Sequence, residues 1–327
     1  MTPLQFFTQV IAQTQGAQRW CVASVVQTRG STPRKKGAQM AVALGGDGKL
    51  IAPIASIGGG AGEAKVLQAA AALLRMPTQV FEMLEIDLSG HAGSEKNSSA
   101  NSISGVCGGH MRLCLSTFTA ADLQLRAHAI CDALTAGQAA TIDAATLLPA
   151  NHSAQESLRL LPAPMCLIGG GGHCGVALAE LLVRLGFPVA VIDERDEVFG
   201  CALAAECHIE EFSDWASALA AAKLYQTHGA PHAMAILLSR SYSHDLTALR
   251  AIAQSDVKFS LLGMMGSARR IRVVKQQLVE FPAALFAVLK APIGLSIGAQ
   301  TPSEIAVSIA AELLSVRSKQ LGAKSLD

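Results

Sequence analysis

The residues whose types and spacing suit chemistry in this chain are mostly glycines set beside one or two polar side chains. Gly170-Gly171-Gly172-His173-Cys174-Gly175 matches G-x-G-x-x-G, with the apolar run MCLIG before it, a helical pattern after it, and Asp193 18 residues beyond Gly175. In that context Gly170 and Gly172 permit a tight turn and close approach of a phosphate, Gly175 lets helix and strand pack, and Asp193 accepts from a ribose diol. The same turn also serves Rossmann folds that bind no dinucleotide. His173 either faces the ligand crevice or caps the turn.

A second site is expected from two separated stretches, Gly30-Ser31-Thr32-Pro33-Arg34 with Gly37, and Gly58-Gly59-Gly60 with Glu63. Ser31, Arg34 and exposed amides would form an anion pocket, with Glu63 either complementing the helix dipole or accepting from a ligand. The plain alternative is a tight turn followed by a capped helix. Cys107 differs from the other seven cysteines because Gly105, Gly108 and Gly109 flank it, which makes it the candidate for a reactive or ligand-contacting thiol. A third set ends a strand at Gly263-Met264-Met265-Gly266-Ser267-Ala268-Arg269-Arg270, where Gly266, Ser267 and Arg269 either bind an anionic group or form a turn with solvated arginines. Cys201, Cys207 and His208 lack the short ligand pairs of a metal site, and His244-Asp245 reads as a helix-capping pair.

The elements that must carry these residues divide into two halves. The first reads as a helix with Leu4, Phe7, Val10 and Ile11 on one face, strands at Trp20–Gln27, Ala38–Leu44 and Leu50–Ile54, a helix at Glu63–Leu74, strands at Gln79–Ile86 and His110–Phe118, and a helix at Ala120–Ala136. Between two of those strands, Ser89 to Ser104 is a polar loop, a lid or an insertion. From Met165 apolar strands alternate with helices, which predicts a parallel sheet covered on both faces. Thr301-Pro302-Ser303-Glu304 is a capping box opening a helix to about Val316. The fold class is therefore α/β: an N-terminal α+β domain over 1–148, a linker over 149–163, and a Rossmann-like doubly wound parallel sheet domain over 164–327.

Composition narrows the partners. Of 327 residues 50% are hydrophobic and 16% charged, with mean hydropathy +0.36, so the chain has the apolar surface to bury a large core. A formal charge of +1 predicts no broad attraction to nucleic acid or anionic lipid. The best candidate stretch, Ala163 to Ala179, carries four consecutive glycines and a histidine, which argues against a membrane span. With no secretory pattern at the N-terminus and no CxxC pair, the cytoplasm is the expected compartment.

Taken together these motifs resemble the xanthine dehydrogenase accessory (XdhC/CoxI) family of molybdenum-cofactor chaperones. The resemblance rests on GSTPRKKGAQMAV at 30–42, SIGGG with Glu63, Val106-Cys107-Gly108-Gly109, GGGHCG at 170–175 with VIDER, LLGMMGSARR at 261–270 and APIGLSIGAQTPSEIAVSIAAE at 291–312. It implies binding of the molybdenum cofactor (molybdopterin), exchange of an oxo for a sulfido ligand with sulfur from a cysteine desulfurase, and delivery to a xanthine dehydrogenase-type hydroxylase by a homodimer. Many relatives carry a cysteine after the glycine triplet where Ala61 and Gly62 stand here, leaving Cys107 as the thiol that would touch molybdenum. Ser296 stands where an aspartate is usual. Few acid or base groups accompany the glycine pockets, which suits a carrier. The Rossmann fingerprint read alone implies an NAD(P)-dependent oxidoreductase instead.

Overall fold

The run RWCVASVVQTR forms β1 (Arg19–Arg29), and it is apolar on successive residues because both of its faces are covered. Trp20, Val22 and Val26 pack with Phe6, Phe7 and Val10 of α1 (Pro3–Gln13), while Cys21, Ala23 and Val25 pack on the opposite side. The structure is a computed structural model that describes residues 1–14, 19–88, 108–142, 157–195, 209–277 and 281–320. Cys107, Cys201, Cys207, His208 and the polar stretch 89–104 lie outside the described residues.

The chain divides into two units, Pro3–Thr135 with Ala139–Leu160, and Leu161–Asp327 with Ala136–Gln138. In the first, β2 (Gln39–Ala43), β1, β4 (His110–Thr119) and β3 (Phe81–Asp87) lie in that order, every neighbour antiparallel. Val66, Ala70, Leu73 and Leu74 of α2 (Gly60–Leu74) cover one face, and Leu123, Ala127, Ile130 and Leu134 of α3 (Ala120–Thr135) join α1 on the other. Leu50–Ile54, expected as a strand, makes only single bridges, Leu44 to Leu50 and Ala41 to Ile54. Within the stretch expected as a linker, Leu158–Leu160 form β6, paired antiparallel to β5 (Ala140–Ile142).

The second unit holds β7 (Cys166–Gly169), α4 (His173–Arg184), β8 (Val189–Ile192), β9 (Ile209–Phe212), α5 (Trp215–Thr227), β10 (Ala233–Leu237), α6 (Tyr242–Gln254), β11 (Phe259–Met264), α7 (Ala268–Gln277), α8 (Ala283–Ala287), β12 (Leu289–Lys290) and α9 (Pro302–Gln320). The sheet is parallel throughout, ordered β12-β11-β10-β7-β8-β9. Numbered from β7, that is the 3-2-1-4-5-6 order of the doubly wound Rossmann fold, with its switch point between β7 and β10. The mixed α/β class with a parallel second sheet is thus the one the alternating pattern predicts.

Side chains alternate across this sheet. Cys166, Ile168, Val189 and Val191 meet α4 and α9, whereas Leu167, Ala190 and Ile192 meet α5 and α6. The capping box forms as expected: the Glu304 carboxylate accepts from the amides of Gln300 and Thr301, and α9 runs on to Gln320. Helix α5 escaped the sequence reading because only Ala218, Leu219 and Ala222 are buried in an alanine-rich stretch, too little contrast to mark a face. Among the described residues no helix is long and apolar enough to cross a membrane.

Candidate functional site

In the first unit the β1 and β4 ladder pairs Arg29 with His110, so Gly30 leaves the sheet where Gly109 enters it. The two backbones touch: a Cβ on Gly109 would stand 2.2 Å from the Ser31 carbonyl oxygen, and one on Gly30 would stand 3.1 Å from that of Gly108. β3 ends at the same edge, with the Gly108 amide donating to the Leu88 carbonyl at 2.9 Å. The loop before α2 closes the group, since a Cβ on Gly58 would meet the Pro33 ring at 2.5 Å. Three stretches far apart in sequence, 29–34, 57–60 and 108–109, therefore form one glycine-lined edge. Ser31 and Arg34 are exposed there, and Thr32 is buried with its hydroxyl on the Arg34 carbonyl at 2.8 Å.

Glu63 occupies the mouth of α2. Its Oε2 accepts from the Ser56 hydroxyl and from the amides of Ile57 at 3.1 Å and Gly59 at 3.0 Å. Burial works to raise this carboxyl, yet the Ser56 hydroxyl and the Gly59 and Ile57 amides outweigh it and hold the group below the usual carboxylate range. Those amides are therefore spent on a resident carboxylate, and bare backbone remains further along. Gly59, Gly60 and Gly108 have φ of 74°, 64° and 66° and nothing within 4 Å of a Cβ position. The first-turn amides of α2 have no intrahelical acceptor.

In the second unit the fingerprint turn divides its glycines by task. A Cβ on Gly175 would stand 1.9 Å from the Gly170 carbonyl oxygen, so helix α4 and the turn are in backbone contact. Gly170 takes φ 112° against Leu238 of the β10 exit. Gly172 has open space and an ordinary φ of −71°. His173 is exposed at the start of α4. Asp193, nearly buried, is already engaged: Oδ2 accepts from the Gly171 amide at 2.8 Å and from Arg195 Nη2 at 2.8 Å, and Oδ1 from Arg195 Nε at 2.8 Å. The Arg195 guanidinium, against the opposing pull of burial, lowers its carboxyl to about 2.

At the end of β11, Ser267 is exposed and its hydroxyl accepts from the Arg270 amide at 3.3 Å, while Gly266 lies against the Arg270 side chain and Arg269 is exposed. The arginine turned inward is Arg270, whose Nε donates to Asp245 Oδ2 at 2.7 Å and whose Nη2 donates to the carbonyls of Ser239 at 2.9 Å and Ser241 at 3.0 Å. Asp245, read from sequence as half of a capping pair, is wholly buried and receives the Ser239 hydroxyl at 2.6 Å. Burial raises its carboxyl, with Ser239 and Arg270 pulling back. Nothing local marks this ion pair, because its partners are 25 residues apart and an adjacent arginine competes for the role.

The five described cysteines, Cys21, Cys114, Cys131, Cys166 and Cys174, are all free thiols. Burial pushes Cys166 up to about 12, as it does Cys21 with help from Cys114 and Glu82. Among the described residues no three His, Cys, Asp or Glu side chains gather as a metal site.

Two family models match this chain, one described as the XdhC and CoxI family over residues 14–86 and one as the XdhC Rossmann domain over residues 166–313. The chain belongs to the XdhC and CoxI family. Among similar proteins, this XdhC-type chain is 26% identical to the uncharacterized protein YqeB of Escherichia coli, over 98% of its own length and 47% of that protein. It is 29% identical to a Bacillus subtilis protein described as a probable xanthine dehydrogenase component, over 49% of its own length and 45% of that protein. The chain thus spans about half the length of the curated relatives it matches. A crystal structure from Bacillus halodurans described as a xanthine dehydrogenase superposes with a TM-score of 0.69 at 20% identity, covering 99% of this chain and 98% of that one, which shows that the two share a fold.

Proposed function

We propose that this XdhC-family chain is a maturation chaperone that carries the molybdenum cofactor as cargo to a xanthine dehydrogenase-type hydroxylase. The observation that carries the reading is the convergence of the 29–34, 57–60 and 108–109 stretches into one edge of bare backbone. Such an edge fits a phosphorylated pterin. Gly59, Gly60 and Gly108 leave room for a planar group, Arg34 supplies a cation for its phosphate, and the first-turn amides of α2 add donors. Glu63 keeps the loop open by binding its amides, and Cys107, next in the chain to Gly108, is the thiol proposed to meet the metal. The cargo would bring the molybdenum centre whose sulfido ligand a cysteine desulfurase supplies, and a homodimer is the proposed working unit.

Purification from cells that make the cofactor, followed by oxidation and pterin fluorescence, tests this directly. A sample without pterin, under conditions that load an established carrier, would sink the reading. A second reading, an NAD(P)-linked oxidoreductase, is favoured by the 3-2-1-4-5-6 strand order and the open face of Gly172. Against it, both Asp193 oxygens are committed to Gly171 and Arg195, so a ribose diol would have to displace one of them. Hydride transfer from a nicotinamide to any carbonyl substrate, abolished by a bulky residue at 172, would favour that second reading over the first.

A further inference from the structure

At the carboxyl edge of the second unit's sheet a single carboxylate oxygen gathers two nitrogen groups. Arg240 Nη2 donates to Glu194 Oε1 at 2.8 Å, and His244 Nε2 stands 3.0 Å from the same atom, its Nδ1 meeting the Ser241 hydroxyl. Glu194 follows β8, Arg240 follows β10, and β7 lies between those strands. The contact therefore passes across the carboxyl end of β7, at the switch point from which the Gly170–Gly172 turn departs.

The mount beneath Arg240 is out of proportion to a surface ion pair, which in water contributes about 0–1 kcal/mol. Arg270 bonds the carbonyls on either side of Arg240, those of Ser239 and Ser241, and is itself anchored on the wholly buried Asp245. Burying such a pair takes two charges out of water and is rarely favoured for stability alone. The arrangement fits a guanidinium held in place for something that comes and goes. Of the two carboxylates at this edge, Asp193 is fixed by Gly171 and Arg195 with 7% of its side chain exposed, while Glu194, held by Arg240 and His244, is 56% exposed to water.

We propose that Arg240 and His244 form an anion site at the switch point, in which the Glu194 carboxylate holds the place of a ligand phosphate, and that the ligand class is a nucleoside diphosphate, free or as half of a dinucleotide. A phosphate offers more charge and more acceptor oxygens than a carboxylate, so it meets the guanidinium in a bidentate pair and leaves an oxygen for the imidazole. Gly172 gives the diphosphate open backbone at the same edge. The site stands apart from the pterin reading, which concerns the first unit, and neither requires the other.

Calorimetric titration of the full chain with inorganic pyrophosphate, ADP and NAD+ at low ionic strength tests it. Wild type should bind ADP saturably, with pyrophosphate competing. Glu194→Gln removes the resident charge and should tighten ADP about tenfold, a gain that loss of a structural contact would not produce, and Arg240→Ala should weaken it about tenfold. ADP bound more tightly than NAD+ supports the free diphosphate, and the reverse supports the dinucleotide. Unchanged or weaker binding in Glu194→Gln overturns the proposal, as does wild-type affinity in Arg240→Ala or no heat from any probe with Glu194→Gln. Should Arg240→Ala fail to fold, Arg240→Gln serves in its place, and the Glu194→Gln gain stands by itself. Pterin retained by the same variants at the wild-type level separates failure here from failure of the pterin reading.

Discussion

The Asp193 carboxylate is bound on one side by the Gly171 amide and on the other by Arg195, so the end of β8 is tied to the fingerprint turn by a partner from its own chain. This tie is strongest when Asp193 is ionised. Its folded carboxyl titrates near 2 against an ordinary 3.8. The stabilisation is therefore fully present above about pH 4 and lost as pH falls toward 2. It is worth on the order of 2 kcal/mol. Urea unfolding from pH 6 down to 2.5 should show a fall in wild type that Asp193→Asn lacks, and parallel curves would exclude the carboxylate as the cause.

The glycines at 172 and 175 should behave oppositely. A methyl at 175 enters the Gly170 carbonyl, so Gly175→Ala should cost about 2 kcal/mol or more, read as a lower Tm. Gly172→Ala adds a methyl to open space at an ordinary φ and should hold stability within about 0.5 kcal/mol. Any loss of ligand binding in that variant then belongs to the ligand's approach and not to the fold.

In the first unit Gly109→Ala drives a methyl into the carbonyls of Ser31 and Arg29, and Gly58→Ala drives one into the Pro33 ring. Each should separate stretches that the pterin reading needs together. Both variants are expected to lose retained pterin along with about 2 kcal/mol or more of stability. Gly60→Ala, strained by its φ of 64° but unobstructed, should lose only about 1 kcal/mol, so its pterin content isolates the demand for bare backbone.

Asp245→Ala leaves the Arg270 guanidinium largely buried without its anion and should destabilise the second unit by about 3–5 kcal/mol. Thermal melts of this variant and of Asp245→Asn, which keeps the volume and an acceptor, should fall in that order of severity. Equal melts would mean that the lost charge, and not the lost volume, sets the cost, whereas a wild-type melt in Asp245→Asn would mean that packing holds the residue.

Much of this was legible in the sequence, and the reasons are local. The Gly170–Gly175 turn and the Thr301 capping box announce themselves because every residue needed lies within one turn of backbone. Strand β1 could be read from its unbroken apolar run. The position of Asp193 is legible but its engagement by Arg195 is not, since an arginine two residues on reads equally well as solvated. Asp245, Arg270, Arg240 and Glu194 were missed as a group because their association is made by strand order, which no spacing rule encodes. Glu63 was placed in the first turn of its helix, but that its carboxylate would take the loop's own amides depends on the backward path of residues 56–59.

The pairing of β1 with β4 also sets when the first unit's edge comes into being. Arg29 and His110 are ladder partners separated by about eighty residues of chain, and Gly30 meets Gly108 and Gly109 only once that ladder closes. During synthesis the nascent chain can lay down α1, β1, β2 and α2 with no edge to offer, and a fragment ending before β4 has none at all. Long-range closure of this kind is slow compared with helix formation. On the carrier reading, cargo would be loaded only after β4 has docked on β1, so an unfinished or partly unfolded chain would be kept from capturing it.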